Sequence, residues 1–232
     1  MWNYFTVWVP QYVPFLLQGA LVTLYLTLLS MACGVIIGLL VALGRLSGIR
    51  WLDLCLRVYM EIWRDVPLIV QLLVIYFALP SIGFSLPAFW AGVLGLSLNL
   101  AAYISELFRS SILSVDKGQR EAGTSIGMSR ATVYRRVILP QAFIVALPTM
   151  GSYLISLLKD CSLVSFIAVD ELLRHGVVLI SETFQTMQIY LTVAAIYFAM
   201  SFVASITVRW AELRMTPAYL RPARIREAAT AP

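Results

Sequence analysis

Four stretches of the chain contain no Asp, Glu, Lys or Arg: Phe15 to Gly44, Val66 to Ser105, Val137 to Leu158 and Thr183 to Val208. A helix crossing the hydrocarbon core needs about 20 apolar residues, and each stretch is long enough. The second is about twice that length and is interrupted by Pro80-Ser81-Ile82-Gly83-Phe84-Ser85-Leu86-Pro87, a turn-forming run. It divides into two helices. The pattern therefore predicts an all-α polytopic membrane protein of about five transmembrane helices, over about 15–44, 52–80, 87–109, 138–160 and 184–210.

Polar positions between and within these tracts have spacings of their own. Asp53, Arg57, Glu61 and Arg64 or Asp65 fall at helical intervals with alternating sign, and side chains three or four apart face each other on a helix. Trp51 to Asp65 thus reads as a solvated cytoplasmic extension of the second helix, with Pro67 marking a kink at bilayer entry. Glu61 and Arg64 are also placed to meet a partner. In the first helix Gly19, Thr23, Thr27, Ser30, Gly34 and Gly38 recur three or four apart, a stripe on which another helix can approach closely. Ahead of it, residues 1–14 carry Trp2, Tyr4, Phe5, Trp8 and Tyr12, aromatic rings suited to an outer-face interfacial lead-in. The third helix holds Asn99 near its middle and Glu106 near its inner end. Ionisable groups within membranes are functional candidates by default. An ion pair with Arg109 explains Glu106 about as well, and an amide bridge between helices does the same for Asn99.

Composition strengthens the membrane reading. Hydrophobic residues make up 60% of the 232 positions, charged residues 12%, and mean hydropathy is +0.85, whereas a soluble domain carries roughly a quarter charged residues. Of 17 Lys and Arg, four lie in Arg45 to Arg64, six in Arg109 to Arg136 and five in Arg209 to Arg226; the first 44 residues and the Pro80 to Pro87 turn have none. Cytoplasmic loops carry the Lys/Arg excess, so the amino terminus is expected outside and the carboxyl terminus inside. An uncharged start also argues against a cleaved signal peptide. The net charge of +5 then reflects topology and contact with anionic lipid, not a nucleic-acid surface. Cys33, Cys55 and Cys161 lack metal or redox spacing and His175 is the sole histidine. No GxxxxGK[ST] phosphate loop is present. Residues 15–212 form one transmembrane domain, followed by a cytoplasmic tail at 213–232 whose end is expected to fray.

The polar, basic segment 117–140 breaks the membrane pattern. It reads as two short helices joined at Gly127, with Ser129 placed to cap the second and Leu139-Pro140 opening the fourth membrane helix. Such a knob, held by membrane helices on both sides, is suited to fitting a cleft in another protein. Its residues Glu121-Ala122-Gly123, Gly127, Val137 and Leu139-Pro140 resemble the EAA loop of bacterial ABC importer permeases. The family pattern has alanine where Gly123 stands and usually isoleucine where Val137 stands. Three further stretches resemble the polar amino acid branch, that of histidine, glutamine and arginine permeases: Glu61 to Leu68 with Gln71, then Asn99 to Arg109, then Ser156 to Leu163. Asp65 departs from the glycine usual after the arginine.

The resemblance covers nearly the whole chain. It implies a type I importer permease fold in which this chain forms half of a dimeric pore, as a homodimer or with a sister permease. An external solute-binding protein delivers a polar amino acid, and a cytoplasmic ABC ATPase dimer, which binds ATP and Mg, supplies the stroke; no cofactor is expected in this chain. Glu121, Ala122, Gly123, Gly127, Leu139 and Pro140 would couple to the ATPase in the bacterial inner membrane. Asn99, Gln71, Glu106 and Lys159 are the candidates for the cargo path. An amino-acid derivative such as an opine or a compatible solute is the alternative cargo. An ATP-independent transporter or channel subunit would normally display inverted repeats or a buried charge relay, and a membrane enzyme a nucleophile–base pair or metal cluster. The sequence displays none of these.

Overall fold

A computed structural model describes residues 9–215. Trp2, Tyr4, Phe5 and Trp8 of the expected lead-in, and residues 216–232 of the expected tail, lie outside the described residues. Helix α1 (Val9–Arg45) is already helical at the first described residue, six residues ahead of the expected start, and continues through Pro14, which costs it one backbone bond. Its small-residue stripe divides the work of packing. Gly34 lies against Leu100 and Gly38 against Ile104, so close that a Cβ would come within 2.8 and 2.7 Å of those side chains. The partner helix, α4 (Ala88–Ser114), is the buried centre of the bundle and runs parallel to α1. The upper half of the stripe, Gly19 and Thr23, meets the segment around Leu172 instead.

The expected second helix, 52–80, is not one rod. Helix α2 (Arg50–Asp65) and helix α3 (Leu68–Leu73, continued by a π turn at Val74–Ala78 and a 3-10 turn at Leu79–Ile82) meet at an angle of 106°. The cause is local. Val66 precedes a proline and is extended (φ −83°, ψ 131°), as that position prefers, and Pro67 can donate no bond back into α2. Nor is α2 a solvated extension. It runs antiparallel to α1 with Met60 packed on Val41 and Ala102, and the Tyr59 hydroxyl donates to the carbonyl of Leu98 in α4 at 2.7 Å. The break accordingly falls beside the middle of α4 and not at a bilayer surface. Gly95 of α4 admits Leu72 and Ile75 of α3.

Helices α5 (Lys117–Ser125) and α6 (Arg130–Val133) form the knob, and a π turn at Tyr134–Ile138 leads into α7 (Leu139–Asp160). The stretch 161–183, given no element by the apolar pattern, contains a 3-10 helix (Cys161–Ile167) and α8 (Leu172–Thr183). Helix α8 packs on the first half of α1 and on α9 (Thr186–Met215). Glu171, fully buried, makes this possible: its carboxylate accepts from Leu173 N (2.9 Å), Arg174 N (2.7 Å) and the Tyr197 hydroxyl (2.6 Å). Helix α9 returns antiparallel to α7, with Gly151 seated on Val208. Among the described residues four helices are long and apolar enough to cross a membrane, and the bent α2–α3 pair makes a fifth.

Candidate functional site

The α2–α3 break leaves backbone carbonyls in the middle of the bundle, and two side-chain amides take them up. Gln71 Nε2 donates to the carbonyls of Trp63 (3.0 Å) and Val66 (2.8 Å). Asn99 Nδ2 donates to the same Trp63 carbonyl (2.7 Å) and to Gln71 Oε1 (3.1 Å). Unwound backbone at membrane depth is tolerated where protein groups satisfy it. Asn99 and Gln71 therefore meet at one place and brace the break, and the donors of Asn99 are spent on that bridge.

Beside the break opens a cavity of about 370 Å³, comparable to small-molecule sites. Arg64, Asp65, Val66 and Pro67 form one wall, Asn99 and Tyr103 a second, and Tyr153, Ser156 and Asp160 a third. The Arg64 guanidinium lies over the Tyr103 ring, 5.4 Å from its centroid, and the Tyr103 and Tyr153 rings are 6.1 Å apart. Among the described residues, no ion pair within 4.0 Å engages Arg64, Asp65 or Asp160. Opposite charges thus face one space without neutralising each other, an arrangement that can hold a small dipolar molecule.

Of the four expected cargo-path residues Asn99 alone lines this cavity; Gln71 stays at the break as its partner, and the other two are elsewhere. Glu106 does not line the cavity: Arg45 Nη1 reaches its Oε2 at 2.7 Å, and Arg109 donates to both its oxygens. Arg45, with its side chain only 10% exposed, also pairs with Asp53 (3.3 Å), which holds Arg57 in turn (2.7 Å). Glu106 belongs to a charge network that ties α1, α2 and α4 together. Lys159 is exposed and lies off the cavity, while its neighbour Asp160 lines it. The sequence did carry a signal for this wall: Tyr153, Ser156 and Asp160 sit at i, i+3 and i+7, one face of a helix. Tyr103 had the same kind of signal, standing four residues after Asn99 on α4, whereas Asp65 had none, since the break brings it to this wall.

The knob is built as its residue types require. Asp116 caps α5, accepting from Gly118 N at 2.6 Å, and Ser129 caps α6, accepting from Thr132 N. Gly127 turns the chain with φ 82°, a conformation that side chains with a Cβ adopt at a cost. Gly123 is buried, and a Cβ there would come within 2.9 Å of Val133. Glu121 and Ala122 are exposed, and Glu121 borders a groove with Arg120, Thr124, Arg130 and Tyr134. Behind them Val133, Ile138 and Leu139 pack on Ile112 and Val115 at the end of α4 and on Leu43 of α1. Pro140 stands in the first turn of α7.

The chain has counterparts among known proteins. Residues 34–217 match the family described as binding-protein-dependent transport system inner membrane component. The chain belongs to that family. It is a multi-pass inner-membrane permease subunit of an ABC transporter complex, a transport subunit and not an enzyme. The L-cystine transport system permease protein TcyB of Bacillus subtilis is 42% identical over 203 residues, covering 87% of this chain and 87% of that protein. The glutamine transport system permease protein GlnP of Escherichia coli is 38% identical over 205 residues, covering 88% and 94%. Among solved structures, one described as an amino acid ABC transporter with histidines superposes with a TM-score of 0.82 at 40% identity, covering 89% of this chain and 96% of that one.

Proposed function

We propose that this permease subunit carries a polar α-amino acid inward, and that the cavity beside the α2–α3 break is where the cargo rests. The observation that carries this reading is the pair of opposite charges, Arg64 and Asp160, facing one cavity with no ion pair to either among the described residues. An amino acid is a zwitterion of matching size. Arg64 takes its carboxylate through a planar fork of donors, and Asp160 takes its ammonium. The relatives named for cystine and glutamine support the cargo class.

In this reading a cytoplasmic ATPase dimer binds ATP and Mg and grips the knob through the exposed Glu121 and Ala122, while the buried Gly123, with Gly127, Leu139 and Pro140, sets the knob's shape. An external solute-binding protein loads the cargo, and a second permease chain, identical or sister, completes the pore. The clustering of cations at the end of the bundle bearing the knob supports a cytoplasmic position for that end, with the amino terminus outside. ATP closing its dimer must favour one pore state through contacts that differ between states. The rigid route runs from the knob's apolar root into α4, and from α4 through Asn99 to the carbonyl of Trp63 at the break. Glu121→Lys, expressed with the cognate ATPase, is expected to insert normally yet lose both ATPase co-purification and amino acid uptake. Wild-type uptake with the ATPase still bound would remove this mechanism.

A further inference from the structure

We propose that the cavity prefers an amino acid with a cationic side chain and that Asp65 sets this preference; the inference rests on reading the cavity as the cargo site. A zwitterion engages one group of each sign, and Arg64 with Asp160 supplies that pair. Asp65 is then left over. It lines the same cavity, and no ion pair within 4.0 Å engages it among the described residues. One arginine and two aspartates give the cavity a formal charge of −1. Lys159 does not cancel it, being exposed and off the lining.

A neutral cargo leaves this surplus in place, and an acidic one adds repulsion to it. A cationic side chain neutralises it, at a protein surface where a charge interaction is less screened than in bulk water. The aromatic wall acts in the same direction. Tyr103 and Tyr153 present two rings 6.1 Å apart, and the Tyr103 ring already holds the guanidinium of Arg64 over its face. Ring faces attract cations through their quadrupole and offer nothing comparable to a carboxylate or an amide. Charge and ring geometry are independent features, and both select the same cargo.

L-Arginine and L-citrulline isolate the charge, since they share length and shape and differ in the guanidinium. The permease, purified with its ATPase in lipid nanodiscs and without the binding protein, is titrated with radiolabelled L-arginine in competition with L-citrulline and with agmatine, which lacks the α-carboxylate. Arginine is expected to bind about tenfold more tightly than citrulline, equivalent to about 1.4 kcal/mol. Asp65→Asn keeps shape and removes charge at an exposed helix end, so it should abolish most of this preference while leaving citrulline affinity within about twofold. Equal binding of arginine and citrulline by the wild-type complex, or an equal loss of both in Asp65→Asn, overturns the inference. Agmatine binding weakly while arginine and citrulline bind equally leaves the cargo site standing and removes only the cationic preference. If neither amino acid binds, or agmatine matches arginine, the cavity is not the cargo site and both readings fall.

Discussion

The brace at the helix break lends itself to a double-mutant cycle. Gln71→Leu removes three hydrogen bonds, those to the carbonyls of Trp63 and Val66 and the one received from Asn99. Asn99→Leu removes two, to Trp63 and to Gln71. Interhelical hydrogen bonds in membranes average about 0.6 kcal/mol, so the single variants should lose about 1.8 and about 1.2 kcal/mol at that average. The bond between the two amides is common to both, so the double variant loses four bonds (3 + 2 − 1). Its loss should be about 2.4 and not about 3.0 kcal/mol at the same average, a coupling of about 0.6 kcal/mol, within the range for residues in contact. Reversible unfolding in mixed micelles reads all four corners of the cycle. Strict additivity would mean that the two amides do not meet in the membrane, and the account of the break would fail with it.

Two further outcomes are expected. Gly127→Val places a β-branched residue at φ 82°; left-handed backbone costs an L residue roughly 1–2 kcal/mol, so ATPase co-purification should weaken while membrane insertion, read by cell fractionation, stays normal. Glu106→Gln leaves Arg45 and Arg109 without their shared carboxylate, so the thermal midpoint of the purified complex should fall, while the relative affinities for different amino acids, measured by competition, should not change.

Much of this molecule was legible in the order of its residues. Uncharged tracts announce spans because hydrocarbon excludes charge, and the knob stands out because a polar segment among them must leave the bilayer. What escaped was direction around a helix and contact at long range. Lys159 and Asp160 are neighbours in the chain, yet 3.6 residues per turn sets them about 100° apart, and only Asp160 reaches the cavity. Arg109 is visible from the sequence as a local partner of Glu106, but Arg45 lies 61 positions away and shares the same carboxylate. Pro67 announced a bend without its size or depth, because one proline reveals neither the 106° angle nor the seat of α3 on Gly95 of α4. Helix α8 was hidden for a different reason: at 12 residues it is too short to register as a span.

Glu171 has a consequence for how the protein is made. Its carboxylate accepts from Tyr197 of α9 at 2.6 Å and lies within reach of the Thr23 hydroxyl of α1 at 3.4 Å, while capping α8 from within. The ribosome delivers Thr23 early, Glu171 late and Tyr197 later still. Until the last span arrives, this carboxylate lacks its Tyr197 donor and α8 has no second wall to bury Leu179 against. The α8 end of the bundle therefore closes last, and a chain cut before Tyr197 leaves Glu171 without that hydroxyl and Leu179 without its α9 wall.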